Sequence, residues 1–81
     1  MQISVQFYSY FKELTGCTQT SAALAKDSTV QELVKHLCIQ FPKWAPMQNS
    51  SLMAVGVEYQ GRDYVLRDGD EVSIFPPVQG G

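Results

Sequence analysis

Charge of either sign is scarce in this sequence, and no run of basic residues occurs. Only 17% of its 81 residues are Asp, Glu, Lys or Arg, and the formal net charge is −2. Nucleic acid requires a cationic stripe to neutralise its phosphates, so it is excluded as the primary partner. Cysteine is scarcer still. Cys17 and Cys38 form neither a disulfide framework nor a metal-ligand spacing. Two thiols also cannot supply the four ligands of an iron–sulfur cluster. No apolar run approaches the ~20 residues that cross a bilayer, so no membrane partner is expected. Met1 leads directly into an alternating pattern rather than a signal peptide, and a cytoplasmic location is the expectation. Glycine-rich phosphate loops are missing, as is any Ser/His/Asp or Cys/His arrangement with supporting context. The single histidine, His36, falls off the apolar stripe of a helix, where a solvated surface residue is the ordinary reading. No metal site, bound cofactor or self-sufficient catalytic centre is expected.

What is present suffices for one small domain. Hydrophobic residues make up 44% of the chain, an ordinary globular share. A chain of this size buries only about 60% of the surface exposed when unfolded, so its core must be small. Residues 2–8 alternate, with Ile3, Val5 and Phe7 on one side and Gln2, Ser4, Gln6 and Tyr8 on the other. Period two with β-branched and aromatic residues predicts a half-buried strand. Tyr10 to Leu14 reads as a helical turn closed by Thr15-Gly16. Residues 18–24 form a weaker second strand, close enough in sequence to make a hairpin with the first.

Lys26-Asp27-Ser28-Thr29 carries a helix-start signal. Thr29 with Glu32 fits a capping box, and so does Ser28 with Gln31. Val30, Leu33, Val34, Leu37, Cys38 and Phe41 then form a single apolar stripe, and Pro42 ends the helix. Residues 42–51 read as a polar connection, with Trp44 capping the core edge. Leu52 to Val55 reads as a short buried strand, Gly56 as a turn, and Tyr59 as part of another short strand. After the Asp68-Gly69 turn signal, Glu71 to Phe75 alternates again, with Val72 and Ile74 inward and Glu71, Ser73 and Phe75 outward.

The predicted architecture is therefore α+β: a mixed sheet of four to five strands packed on one main helix at about residues 29–41. If the first and last strands lie side by side, their connection is a long crossover containing the helix. Phe75 then sits on the open sheet face. The expected division is a domain over residues 1–75 and an extended, flexible tail over residues 76–81. Pro76 and Pro77 cannot donate backbone hydrogen bonds, so the sheet should end there. A polyproline-like path of six residues reaches roughly 19 Å. Gly80 and Gly81 make its end narrow.

The one chemically distinctive group expected is the terminal carboxylate of Gly81. A carboxylate becomes an electrophile once an ATP-using partner converts it to an acyl-adenylate. A sulfur donor can then displace the adenylate and leave a thiocarboxylate, a stronger nucleophile. Without a Cβ, the acyl carbon of Gly81 is open to attack. Phe75 and Val78 would serve as apolar anchors, since buried aromatic anchors tend to dominate interface energy.

Three segments carry a resemblance. They are Phe11-Lys12-Glu13-Leu14-Thr15-Gly16, Thr29-Val30-Gln31-Glu32-Leu33, and Asp68-Gly69-Asp70-Glu71-Val72-Ser73-Ile74-Phe75-Pro76-Pro77-Val78-Gln79-Gly80-Gly81. In this order they resemble the small subunit of molybdopterin synthase, a ubiquitin-like β-grasp sulfur carrier. The chain departs from that family at Gly56, where Asn is frequent, and the local loop is expected to differ. The resemblance implies that a partner related to the ubiquitin-activating enzymes adenylates Gly81 with ATP, and that sulfur transfer makes a thiocarboxylate. It implies that Phe75, Pro76, Pro77, Val78, Gln79 and Gly80 dock in the large synthase subunit, within a heterotetramer. There Gly81 would pass sulfur to a cyclic pterin precursor, forming the dithiolene of molybdopterin, the organic part of the molybdenum cofactor. The chain itself would be an enzyme only as one subunit of a two-subunit sulfurtransferase. Other readings keep the tail chemistry and change its destination: sulfur for thiamine or tRNA thiolation, or conjugation as a ubiquitin-like modifier. A further alternative is a non-covalent β-grasp interaction module whose tail is incidental.

Overall fold

The alternating segment at the start of the chain sets the centre of the fold. The computed structural model describes residues 1–77; Val78, Gln79, Gly80 and Gly81 lie outside the described residues. Strand β1 (Gln2–Phe7) buries Ile3, Val5 and Phe7 and turns its even-numbered residues to the other face. Strand β2 (Gln19–Ala23) pairs with it antiparallel, Val5 facing Thr20 and Ile3 facing Ala22. The connection is more than a hairpin turn. It contains helix α1 (Phe11–Thr15), which buries Phe11 and ends at Gly16 in the left-handed conformation, φ +75°. The Gly16 N–H donates to the Lys12 carbonyl at 2.9 Å, satisfying an orphan acceptor of the last turn.

Helix α2 (Val30–Gln40) starts as the capping box at Thr29 and Glu32 predicts. The Glu32 N–H donates to Thr29 Oγ1 at 3.4 Å, and the Thr29 N–H donates to Glu32 Oε1 at 3.3 Å. The alternative box at Ser28 is not used, because the Ser28 hydroxyl donates to the Ala25 carbonyl instead. Two further orphan donors, the N–H groups of Val30 and Gln31, reach the carbonyls of Tyr64 and Arg62 at 2.9 Å each. The segment before the last strand thus closes the helix start. Val30, Leu33, Val34 and Leu37 are fully buried, with Cys38 and Phe41 packed at the core margin. Each of the four contributes roughly 1.5–3 kcal/mol by leaving water.

Residues 42–51 depart from the expected irregular connection. They contain a 3₁₀-helix over Ala45–Ser50, with Pro46 in its first turn, where a missing N–H costs nothing. Trp44, which precedes it, does not cap an edge but is wholly buried against Phe7 and Phe11. Its ring centroid lies 6.4 Å from that of Phe7 and 6.3 Å from that of Phe11, so long-range aromatic packing rather than local periodicity accounts for its burial.

Strands β3 (Leu52–Val55), β4 (Glu58–Tyr59) and β5 (Glu71–Phe75) complete a five-stranded sheet in the order β2-β1-β5-β3-β4. Strand β5 runs parallel to β1, Val72 beside Val5 and Ile74 beside Phe7, and antiparallel to β3. The first and last strands are thus the central pair, and α2 covers one face. This is the β-grasp arrangement. Ser73 faces outward in register yet is buried, because Gln6 and Ala54 flank it on both sides in the middle of the sheet. Gly56 occupies the left-handed region at φ +63°. Asn is among the few other residues that enter that region readily, so this backbone conformation is open to either residue.

Candidate functional site

The open face of the sheet is built by the residues that alternate away from the core. On β1 these are Gln2, Ser4 and Gln6, followed by Tyr8; on β5, Ser73 and Phe75; on β3, Leu52 and Ala54. Register brings their outer ends together. Phe75 lies opposite Leu52, and Ala54 lies opposite Tyr59. The Tyr8 N–H donates to the Ile74 carbonyl at 3.1 Å, which extends the parallel ladder one residue beyond β1 and sets Tyr8 beside Phe75.

Three rings result. Tyr8 and Phe75 stack with centroids 4.5 Å apart and planes 16° from parallel. Tyr59 meets Phe75 edge-on at 6.4 Å and 67°. Offset stacks and edge-to-face pairs are the two favourable ring geometries, and Phe75 takes part in one of each. The Tyr8 hydroxyl donates to Gln6 Oε1 at 3.0 Å, which fixes that ring along its own strand. Tyr8 remains 37% exposed and Tyr59 69%, so the cluster is a platform rather than core. The small side chains Ser73 and Ala54 beneath it let the rings lie close to the sheet. Grouped apolar exposure of this kind marks an interaction surface more often than single exposed residues do.

Phe75 is half-buried, as are Pro76 and Pro77 that follow it. The structure therefore brings Phe75 to the open face at the root of the tail, where the alternation of β5 predicts it. Val78, Gln79, Gly80 and Gly81 fall outside the described residues. Tyr8, Leu52, Ala54 and Tyr59 join Phe75 in this candidate surface, and the sequence reading did not single them out. The signal for Tyr8 was present: it continues the outward row of β1, and the parallel pairing of first and last strands puts that row next to Phe75. Nothing in the sequence marks Tyr59, because a two-residue strand leaves no periodicity to read.

The titratable group with a displaced pKa lies elsewhere. Burial pushes the Cys38 thiol up, and the Arg62 guanidinium partly opposes this. Cys38 sits on α2 against the core margin, on the other side of the sheet from the platform. Arg62 is itself held by Gln31 Oε1 at 2.6 Å, the Gln48 carbonyl at 2.9 Å and Asn49 Oδ1 at 3.2 Å, a structural clasp between segments.

Comparison with known proteins gives consistent results. The family model described as the ThiS family matches residues 5–81. The molybdopterin synthase sulfur carrier subunit of Escherichia coli K12 is 40% identical over 81 residues, covering 98% of this chain and 99% of its own. The crystal structure of SAMP1 from Haloferax volcanii superposes with a TM-score of 0.89 at 19% identity, covering 100% of both chains. A chain from the protein–protein complex of subunits 1 and 2 of molybdopterin-converting factor from Helicobacter pylori superposes with a TM-score of 0.73 at 22% identity, again over 100% of both. At these identities the two structures establish the fold.

Proposed function

This chain belongs to the ThiS family, and on that premise we propose that it is the sulfur carrier subunit of a molybdopterin synthase. The observation that carries the reading is the full-length match to the Escherichia coli sulfur carrier subunit at 40% identity, within a family match that runs through Gly80 and Gly81. The chain is the small subunit of a two-subunit enzyme, and its chemistry resides in one residue. A carboxylate oxygen of Gly81 attacks the α-phosphorus of ATP in an adenylating partner, releasing pyrophosphate and leaving an acyl-adenylate. A sulfur nucleophile then attacks the acyl carbon, AMP departs, and a thiocarboxylate remains. Its sulfur attacks an oxygen-bearing carbon of the cyclic pterin precursor, forming a C–S bond as the C–O bond there breaks and the oxygen leaves as water. Hydrolysis of the resulting acyl link returns the Gly81 carboxylate and leaves sulfur on the pterin, toward the dithiolene.

The folded body serves this chemistry by docking. The platform of Tyr8, Phe75, Leu52 and Tyr59 adjoins the point where Pro76 and Pro77 begin the tail, and a partner that covers it receives the tail at a set distance. Phe75 acts as the anchor at the root. Pro76, Pro77, Val78 and Gln79 line the path, Gly80 gives passage, and Gly81 bears the sulfur. The complex of subunits 1 and 2 named for the Helicobacter pylori neighbour supports a large-subunit partner of this kind.

The test is intact mass spectrometry after incubation with ATP, a sulfide source and an adenylating enzyme active on a related carrier. The expected product gains the mass of one oxygen replaced by one sulfur, localised to Gly81. Gly81→Ala is expected to fold as the parent does and to lose most sulfur transfer. Normal transfer by that variant, or accumulation of an adduct linked through Gly81 to protein lysines with no pterin product, would overturn the reading.

A further inference from the structure

The two edges of the sheet are not alike. Strand β4 has only two residues, one of them Glu58, and so offers a partner strand little to pair with. Strand β2, at the other edge, runs Gln19-Thr20-Ser21-Ala22-Ala23 with no charge, no proline and no positive-φ residue. Exposed edges are ordinarily blunted by one of these devices.

Hydrogen-bond parity defines what β2 presents. Met1 and Leu24 exchange bonds at one end of the β1–β2 ladder, and the Phe7 N–H donates to the Thr18 carbonyl at the other. In an antiparallel pair, bonded and non-bonded pairs alternate. Thr18, Thr20, Ala22 and Leu24 therefore turn their backbone groups toward β1. Gln19, Ser21 and Ala23 turn theirs away from it, and no backbone partner meets them among the described residues. All three are exposed.

These three positions are self-complementary. Two copies of β2 related by a two-fold axis at Ser21 place Ser21 opposite Ser21 and Gln19 opposite Ala23, every pair matching outward groups with outward groups. Gln19 Nε2 donates to Ser4 Oγ at 3.3 Å, which turns the long side chain back over β1 and leaves the edge beside Ala23 clear, and the non-bonded pairs set Thr20 opposite Ala22. No like charges face each other, and nothing bulky meets at the axis. We propose that β2 is a homodimerisation edge, at which a second copy of this chain adds antiparallel through Gln19, Ser21 and Ala23 to form one continuous ten-stranded sheet. The spacing of strands puts the two copies of β5 about 24 Å apart, five steps of ~4.8 Å. The two-fold directs their tails to opposite ends and leaves both aromatic platforms uncovered, so a self-associated carrier keeps its docking face free.

An edge contact of this size is weak, so association belongs in the range of about 0.1–1 mM. Sedimentation of the whole chain across that range is expected to show a mass rising from 9.0 kDa toward twice that value. Ser21→Lys sets two ammonium groups against each other at the axis and is expected to keep the protein monomeric while its circular dichroism is unchanged. Register is read separately with Ser21→Cys in a background of Cys17→Ser and Cys38→Ala. Directly opposed residues of a bonded pair lie about 5.5 Å apart at Cα, within disulfide reach. Oxidation is expected to link that variant into a dimer, whereas Ala23→Cys in the same background stays monomeric because its counterpart is Gln19. Monomeric parent protein throughout the range overturns the proposal. Equal self-association by Ser21→Lys, or equal cross-linking of Ala23→Cys, overturns it as well, since the contact then lies on another surface or in another register.

Discussion

Removing Phe75 and Tyr8 singly and together gives the sharpest test of the platform at the tail root. Burying a Phe side chain completely is worth up to about 3 kcal/mol, so the half-buried Phe75 gains roughly 1–1.5 kcal/mol from area alone. The parallel stack on Tyr8 at 4.5 Å adds about 0.5–1.5 kcal/mol. Phe75→Ala should therefore cost about 2 kcal/mol, which in a domain of this length lowers Tm by roughly 8–16 °C. Tyr8→Ala removes the same stack from the other side. If the stack is a pairwise interaction, the double variant is less destabilised than the sum of the singles by about 0.5–1.5 kcal/mol. Tyr8→Phe keeps the ring and loses only an exposed bond to Gln6 of 3.0 Å, so it should sit within about 0.5 kcal/mol of the parent. Urea unfolding followed by the fluorescence of Trp44, which is wholly buried, reports the parent and all four variants. Additive single and double variants, within the ~0.3–0.5 kcal/mol at which distant sites add, would refute the stack as an energetic unit. The same variants separate docking from stability. Assayed where every protein is folded, Phe75→Ala should raise the KM for the carrier by more than it lowers kcat, because the reaction proposed above places the reacting atoms at residue 81.

The remaining predictions concern the body of the fold. Thr29→Ala removes the capping box of α2 and should cost about 1 kcal/mol in urea unfolding, with Thr29→Ser restoring most of it. Gly56→Asn should lie within about 1 kcal/mol of the parent, whereas Gly56→Val, forced to φ +63°, should lose about 1–2 kcal/mol; equal values would remove the conformational explanation for that position. In a Cys17→Ser background, Cys38 should react with a thiol reagent more slowly in the folded chain than in urea, because burial favours the neutral thiol. The linked stability is present below the unfolded thiol's pKa and falls as pH rises from there through the raised folded value, so unfolding midpoints in mildly alkaline buffer should decline with a partner Cys38→Ala variant as the flat control.

The parts of the fold that were legible in the sequence are those with strong periodicity or local chemistry. Ile3, Val5 and Phe7 repeat every second residue, Val30 to Phe41 follow one stripe, and Thr29 with Glu32 encodes its own cap. Each depends on neighbours within a few residues, so short-range pattern suffices. Trp44 was legible as apolar but not as core, since its burial depends on Phe7 and Phe11, far off in the chain. The 3₁₀-helix at Ala45–Ser50 was hidden because two prolines nearby, Pro42 and Pro46, read equally well as loop punctuation. Ser73 was placed on the correct face, yet its burial follows from β5 having a neighbour on each side, a property of strand order. For the site, Phe75 was legible from its place between an alternating strand and a double proline. Its partners Tyr59 and Leu52 were not, because their nearness arises only from the pairing of β3 with β4 and β5.

Strand order also explains how a thin tail can be aimed. A segment continuing an edge strand would inherit fraying on its unpaired side, and its starting point would wander with each local opening. Here Pro76 continues β5, which is paired with β1 as far as Ile74 and with β3 up to its last residue, Phe75. Moving the root of the tail would require breaking ladders on both sides together with the Tyr8 and Tyr59 contacts to Phe75. Pro76 and Pro77 then hold φ near one value immediately after that fixed point. In the proposed complex, a partner that recognises the platform meets Pro76 and Pro77 at a fixed point of the sheet. The central strand, the stacked ring and the double proline therefore act together at successive points of the chain, which is how the folded body would serve the chemistry proposed for Gly81.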